Sequence, residues 1–122
     1  MKEPKSNIVL IGMPGSGKST IGVILARLLS YDFIDTDLLI QSSQKRLLQD
    51  IVDRDGYLAL RNIEEETLLQ LDTHNHVIAT GGSAVYSASS MNHLAASGTI
   101  VFLKIDLGSL EQRVSNAGTR GL

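Results

Sequence analysis

Cysteine is absent, which removes disulfides and thiolate metal sites. Tryptophan is absent as well, and aromatic residues make up only 4% of the chain, too few for a platform that stacks nucleic-acid bases. Positive charge is not in excess either. The formal net charge is −2, and Lys45-Arg46 is an isolated pair rather than a stripe, so no nucleic-acid partner is expected. No apolar run approaches the ~20 residues of a membrane span. The polar start from Met1 to Asn7 leads only into a short apolar stretch, so neither a signal peptide nor a membrane partner is expected. A cytoplasmic protein fits these absences. Internal repeats and low-complexity linkers are also missing. The 122 residues are read as a single domain, 1–122, long enough to bury about two-thirds of the unfolded surface.

What is present is a phosphate-binding pattern, G-x-x-x-x-G-K-[ST], at Gly12-Met13-Pro14-Gly15-Ser16-Gly17-Lys18-Ser19-Thr20. Ile8-Val9-Leu10-Ile11 before it has the composition of a buried strand. After it, Ile21, Ile24, Leu25, Leu28 and Leu29 recur on one face of a helix. Strand, glycine loop and helix is the context this motif requires. Glycines let successive backbone N–H groups converge on an anion, and the helix adds its positive end. Gly15, Ser16, Gly17, Lys18, Ser19 and Thr20 are the expected nucleotide-binding residues. Lys18 is expected on the β- and γ-phosphates and Ser19 on Mg²⁺, with ATP as co-substrate.

Downstream, Tyr31-Asp32-Phe33-Ile34 is a second expected strand, ending in Asp35-Thr36-Asp37. Leu38-Leu39-Ile40 opens a helix, for which Asp37 is a plausible N-cap. Two carboxylates two residues apart in extended chain point the same way. One reading is a capping aspartate beside a solvated one. The other is chemical: one carboxylate serves Mg²⁺ and the other takes a proton from a substrate hydroxyl.

Leu48, Ile51 and Val52 indicate a short helix ending at Asp55-Gly56. A longer one is expected from about Tyr57 to Leu71, with Leu60, Ile63, Thr67 and Leu71 on its core face. Arg61 and Glu64 share a different face. They are either a surface ion pair or an arginine held by Glu64 for an anionic substrate. His74 and His76 flank a turn before the strand His76-Val77-Ile78-Ala79 and are read as solvated; His93 is read as structural. Thr80-Gly81-Gly82-Ser83 follows that strand, as an ordinary turn or as backbone laid close to a ligand. Ile100 to Ile105 carries the strongest strand signal, and Ser109-Leu110-Glu111-Gln112 is a capping box. Strands alternating with helices give an α/β fold with a parallel sheet, its motifs at the strand carboxyl ends.

Together these stretches resemble the shikimate kinase family, small kinases with a phosphate loop. The specific part of the resemblance is Phe33-Ile34-Asp35-Thr36-Asp37, Arg61 with Glu64, Ala79-Thr80-Gly81-Gly82, and Arg120. It implies a P-loop NTPase-type three-layer α/β/α fold with a mostly parallel sheet. It implies transfer of the γ-phosphoryl of ATP to the 3-hydroxyl of shikimate. By the same resemblance Asp37 binds and activates that hydroxyl, and Asp35 lies by the Mg²⁺ shell. Arg61, supported by Glu64, clamps the carboxylate of shikimate. Gly81 and Gly82 run along substrate and γ-phosphate. Arg113 packs on adenine, and Arg120 is the lid arginine, catalytic with Lys18 and Asp37. The stretch 38–72 then carries the substrate-binding helices, and 117–122 begins the lid.

The chain departs from the family pattern in several places. Ser83 stands where a third glycine is usual, and costs about 1–2 kcal/mol if that position needs positive φ. Leu60 replaces an aromatic residue, and Gly121 replaces a proline. Family members continue through a second substrate arginine, a last strand and a final helix, so the chain reads as C-terminally incomplete; the complete protein is expected as a monomer. Two other readings stay open: another small-molecule kinase on this scaffold, or a module that binds ATP without turning it over.

Overall fold

The computed structural model describes residues 5–12 and 16–104. Four strands, β1 (Asn7–Gly12), β2 (Asp32–Asp35), β3 (His76–Ala79) and β4 (Gly98–Leu103), form one sheet in the order β2-β3-β1-β4. Every pairing is parallel. Helices α1 (Lys18–Leu29), α2 (Thr36–Gln44), α3 (Leu48–Asp55), α4 (Tyr57–Leu69) and α5 (Ala88–Ser97) fill the connections.

Strand alternation divides the core in two. Val9 and Ile11 of β1 point to one face, where they meet Ile78, Leu68 of α4 and Leu94 of α5. Leu10 points to the other, with Val77 and Ala26 of α1. Helices therefore cover both faces, and the architecture is the three-layer α/β/α expected of a phosphate-loop fold. Asn7 pins the strand entry: its buried amide donates to the Thr73 carbonyl at 2.7 Å and accepts the His76 N–H at 3.1 Å.

The register sets the site. Asp35 lies beside Ala79, and Ala79 beside Leu10, so β2, β3 and β1 end along one line. After β1 the chain turns to the face that α1 covers, and after β3 to the opposite face, that of α5. Neighbouring strands whose connections part in this way open a crevice at their carboxyl ends, the usual ligand position in such sheets.

The structure corrects three expectations. On α1 the buried residues are Lys18, Gly22 and Ala26, while Ile24, Leu28 and Leu29 are exposed. Only Ile21 and Leu25 of the expected stripe pack on the sheet. On α4 the buried positions are Glu64 and Leu68; Leu60, Ile63, Thr67 and Leu71 are half-buried. The helix ends at Leu69. The expected cap at Asp37 belongs instead to Asp35, whose carboxylate accepts the N–H groups of Asp37 and Leu38. The expected helix at Ser109 lies outside the described residues.

Candidate active site

Gly17 is the N-cap of α1 with φ of 85°, a left-handed conformation that glycine adopts without strain. It turns the chain so that α1 begins at Lys18, with its N-terminus at the crevice. The Lys18 side chain is buried, and its ammonium donates to the Gly12 carbonyl at 2.7 Å. Burial pulls its pKa below the ordinary lysine value, while the charges of Asp37, Glu64 and Asp35 pull it back up. One cation thus faces three carboxylates. Ser16 is buried, and its hydroxyl has no hydrogen-bond partner among the described residues. An unpartnered buried donor in a phosphate loop suits an incoming anion. Thr20 is exposed on the first turn of α1. Gly15, Arg113 and Arg120 lie outside the described residues.

Ser19 and Asp35 meet. The Ser19 hydroxyl donates to Asp35 Oδ2 at 2.6 Å, while Asp35 Oδ1 accepts the Asp37 and Leu38 N–H groups at 3.0 and 3.2 Å. A hydroxyl and a carboxylate converging from two elements are hard oxygen donors of the kind Mg²⁺ takes. Asp37 lies in the first turn of α2, half-buried. Burial raises its pKa above the ordinary aspartate value, the Asp35 charge raises it further, and Lys18 opposes both.

Gly81 explains itself by what surrounds it. A Cβ there would stand 2.6 Å from Asp37 Oδ1 and 2.8 Å from Glu64 Oε2. The backbone after β3 therefore runs between two carboxylates from different helices. Thr80 holds it down, with both N–H and hydroxyl donating to the Leu10 carbonyl. Gly82 is exposed beside it. Ser83 has φ of −103°, so the serine sits without the strain that positive φ would bring. Its hydroxyl donates to Glu64 Oε1 at 3.0 Å.

Arg61 and Glu64 stay in each other's field, the arginine charge lowering the Glu64 pKa, but each also has another contact. Glu64 is buried and bonded to Ser83. Arg61 places its guanidinium 5.3 Å from the centroid of the Tyr86 ring, in the 3-10 turn Ala84–Tyr86. Sequence patterning gave no sign of Tyr86; the serine at position 83 was visible as a departure, but not its partner. The histidines are ordinary: His93 hydrogen-bonds the Leu71 carbonyl, and His76 the His74 carbonyl.

Burial raises the Glu64 pKa above the ordinary value and the Asp37 charge adds to it, while the Ser83 hydrogen bond and the charges of Arg61 and Lys18 oppose the rise. A carboxyl with a raised native pKa binds its proton more tightly folded than unfolded. Its contribution to stability is full below the unfolded value and is lost as pH rises through the native one. Wild type should therefore lose ground to Glu64→Gln as the pH rises from about 4 towards neutrality, by a few degrees in Tm. Melting curves of the two proteins across that range check this; a gap that stays constant would contradict it.

Comparison with known proteins agrees with this geometry. The family model described as shikimate kinase matches residues 14–122. The chain is 38% identical over 125 residues to the shikimate kinase of Paracidovorax citrulli, covering all of this chain and 68% of that one. It is 36% identical over 107 residues to shikimate kinase 2 of Photorhabdus laumondii, covering 88% of this chain and 62% of that one. The shikimate kinase of Acinetobacter baumannii, solved in complex with shikimate, superimposes with a TM-score of 0.77 at 34% identity, over 80% of this chain and 55% of that one. The chain thus spans just under two-thirds to just over two-thirds of these two curated relatives. With its parallel sheet, phosphate loop and flanking carboxylates, it belongs to the shikimate kinase family.

Proposed function

We propose that this chain carries the nucleotide site and acceptor-binding residues of a kinase that phosphorylates shikimate from ATP. The observation that carries the reading is the pair of carboxylates, Asp37 and Glu64, packed against Gly81 within the field of Lys18. A nucleophile can be seated and deprotonated there beside a phosphate-binding loop. The similarity to an enzyme solved with shikimate bound supports the choice of acceptor.

In this reading the loop N–H groups, with Gly15, Ser16, Gly17 and Thr20, hold the phosphates of ATP, and Lys18 draws charge from the β- and γ-phosphates as transfer proceeds. Ser19 and Asp35 are the residues that would hold Mg²⁺, which when bound neutralises phosphate charge. Arg61 takes the carboxylate of the acceptor, and Gly81 and Gly82 lie along it. Asp37 accepts the proton of the acceptor hydroxyl as that oxygen bonds to the γ-phosphorus and the bond from the γ-phosphorus to the bridging oxygen of ADP breaks. Phosphoryl transfer asks chiefly for such positioning and charge stabilisation. Arg113 on adenine, Arg120 in a lid starting at 117–122, and acceptor helices over 38–72 complete the assignment. In this reading the protein works in the cytoplasm, as a monomer when complete.

The test is direct. The 122-residue chain and a full-length version are incubated with ATP and Mg²⁺, with and without shikimate, and shikimate phosphate is sought by mass. Product from the full-length protein is expected. ATP binding without product in either form would sink the reading in favour of a binding module or a different acceptor.

A further inference from the structure

We propose that Gly22 of α1 and Phe33 of β2 are positioning residues for the nucleotide site: their contact sets how closely the two elements approach, and so holds the Ser19 hydroxyl against the Asp35 carboxylate. The inference rests on the reading of Ser19 and Asp35 as the residues that hold Mg²⁺.

Gly22 lies in the interior of α1 and is buried. A glycine there weakens a helix relative to alanine. Backbone freedom is no reason for it, because Gly22 is not among the glycines with positive φ. The surroundings supply the reason. A Cβ at this position would stand 2.6 Å from Phe33 Cε1 and 3.3 Å from Leu10 Cδ1. Two carbons in ordinary contact lie about 3.5–4.0 Å apart, so a side chain at Gly22 would push α1 from β2 by roughly 1 Å or turn the ring aside. The ring is held where it is: it packs on the cluster of Leu10, Ala26 and Val77, and Val77 is also its neighbour across the sheet.

Spacing along the chain links this contact to the donor pair. Ser19 precedes Gly22 by three residues, one turn along the same face of α1. Asp35 follows Phe33 by two, on the same face of β2. The same two elements therefore touch twice: Gly22 on Phe33, then Ser19 on Asp35, where the hydroxyl donates to Oδ2 at 2.6 Å. The second contact has little slack, since an O–H···O bond weakens beyond about 3 Å. A shift of about 1 Å at the first contact is enough to open it, and a preorganised site does not tolerate displacements of that size. Asp35 is not free to follow the helix outward, because its other oxygen is held by the Asp37 and Leu38 N–H groups.

The experiment uses the full-length protein with Gly22→Ala, Phe33→Leu and the double substitution. ADP binding is measured by calorimetry in EDTA and in Mg²⁺, and the ratio of the two affinities is the readout. Gly22→Ala should cut the tightening by Mg²⁺ about tenfold, the scale on which supporting residues affect metal affinity. Phe33→Leu, which leaves a gap at the same contact, should cut it by less. The double variant, whose new methyl fills that gap, should regain most of the wild-type ratio. Affinity in EDTA should change far less in all three. Metal-free crystal structures give a second readout: Ser19 Oγ and Asp35 Oδ2 should part in Gly22→Ala and meet again in the double variant. A folded Gly22→Ala protein with the wild-type ratio, or a double variant as impaired as the worse single one, overturns the proposal. If Gly22→Ala does not fold, Phe33→Leu against the double variant decides by the same two readouts. A Ser19→Ala protein that keeps the full Mg²⁺ effect overturns the metal reading instead, and the distance from Ser19 to Asp35 then decides on Gly22 and Phe33 by itself.

Discussion

Replacing Asp37 with asparagine should lower acceptor-dependent kcat by about 10²–10⁴-fold, the range a positioned general base contributes. ATP affinity should barely change, because the substitution keeps shape and leaves the backbone hydrogen bond from Asp37 N–H to Asp35 in place. The packing against Gly81 is likewise preserved, so the loss isolates the chemistry of one oxygen. The pH profile separates this from a structural effect. Burial, and then the Asp35 charge, lift the pKa of Asp37 above the usual aspartate value. The base form is present above that raised value and is lost as pH falls through it. Wild-type kcat should therefore decline on the acid side before a free aspartate would titrate, and the residual rate of Asp37→Asn should lack that limb. Stopped-time assays of product across the acid range check both. Equal kcat in the two proteins would remove Asp37 from the mechanism.

Lys18→Ala should cost at least about 10³-fold in turnover, comparable to removing a principal charge-stabilising donor. It differs from the first variant in what else it loses. The ammonium lies in the fields of Asp37, Glu64 and Asp35, and without it those carboxylates are left to repel one another. Affinity for ATP should fall along with turnover, whether or not acceptor is present, and background ATP hydrolysis should fall too. Calorimetric titration with a non-hydrolysable ATP analogue measures the first effect, and phosphate release without acceptor the second. A Lys18→Ala protein that retained hydrolysis while losing only acceptor phosphorylation would contradict the assignment.

The phosphate loop was legible because its residues are fixed by local needs: a buried strand, glycine at Gly17 for a left-handed turn, and a lysine at the helix start. The four strands were legible from their apolar runs. What failed were decisions that depend on a neighbour. The apolar arc of α1 is wide enough to present several faces, and periodicity could not say that the sheet would take the one bearing Gly22 and Ala26, where Phe33 needs the space a side chain at Gly22 would fill. Asp35 and Asp37 were singled out together, but the cap belongs to Asp35 rather than Asp37, since either has the chemistry to cap and only the length of β2 decides. Arg61 and Glu64 were correctly placed near each other on a helix. That each had another partner depended on Ser83 and Tyr86, far along the chain, which no helical spacing can report.

The anchoring of Asp35 has a consequence beyond ligand binding. One of its oxygens is tied to the main chain at the start of α2 and the other to the Ser19 hydroxyl on α1. A side chain that rotated freely in the resting protein would have to be ordered again in every catalytic cycle, at a cost in entropy each time. Here the ordering occurs once, when the chain folds. The Asp35 carboxylate is then placed by the fold, and its position does not have to be found anew at each turnover.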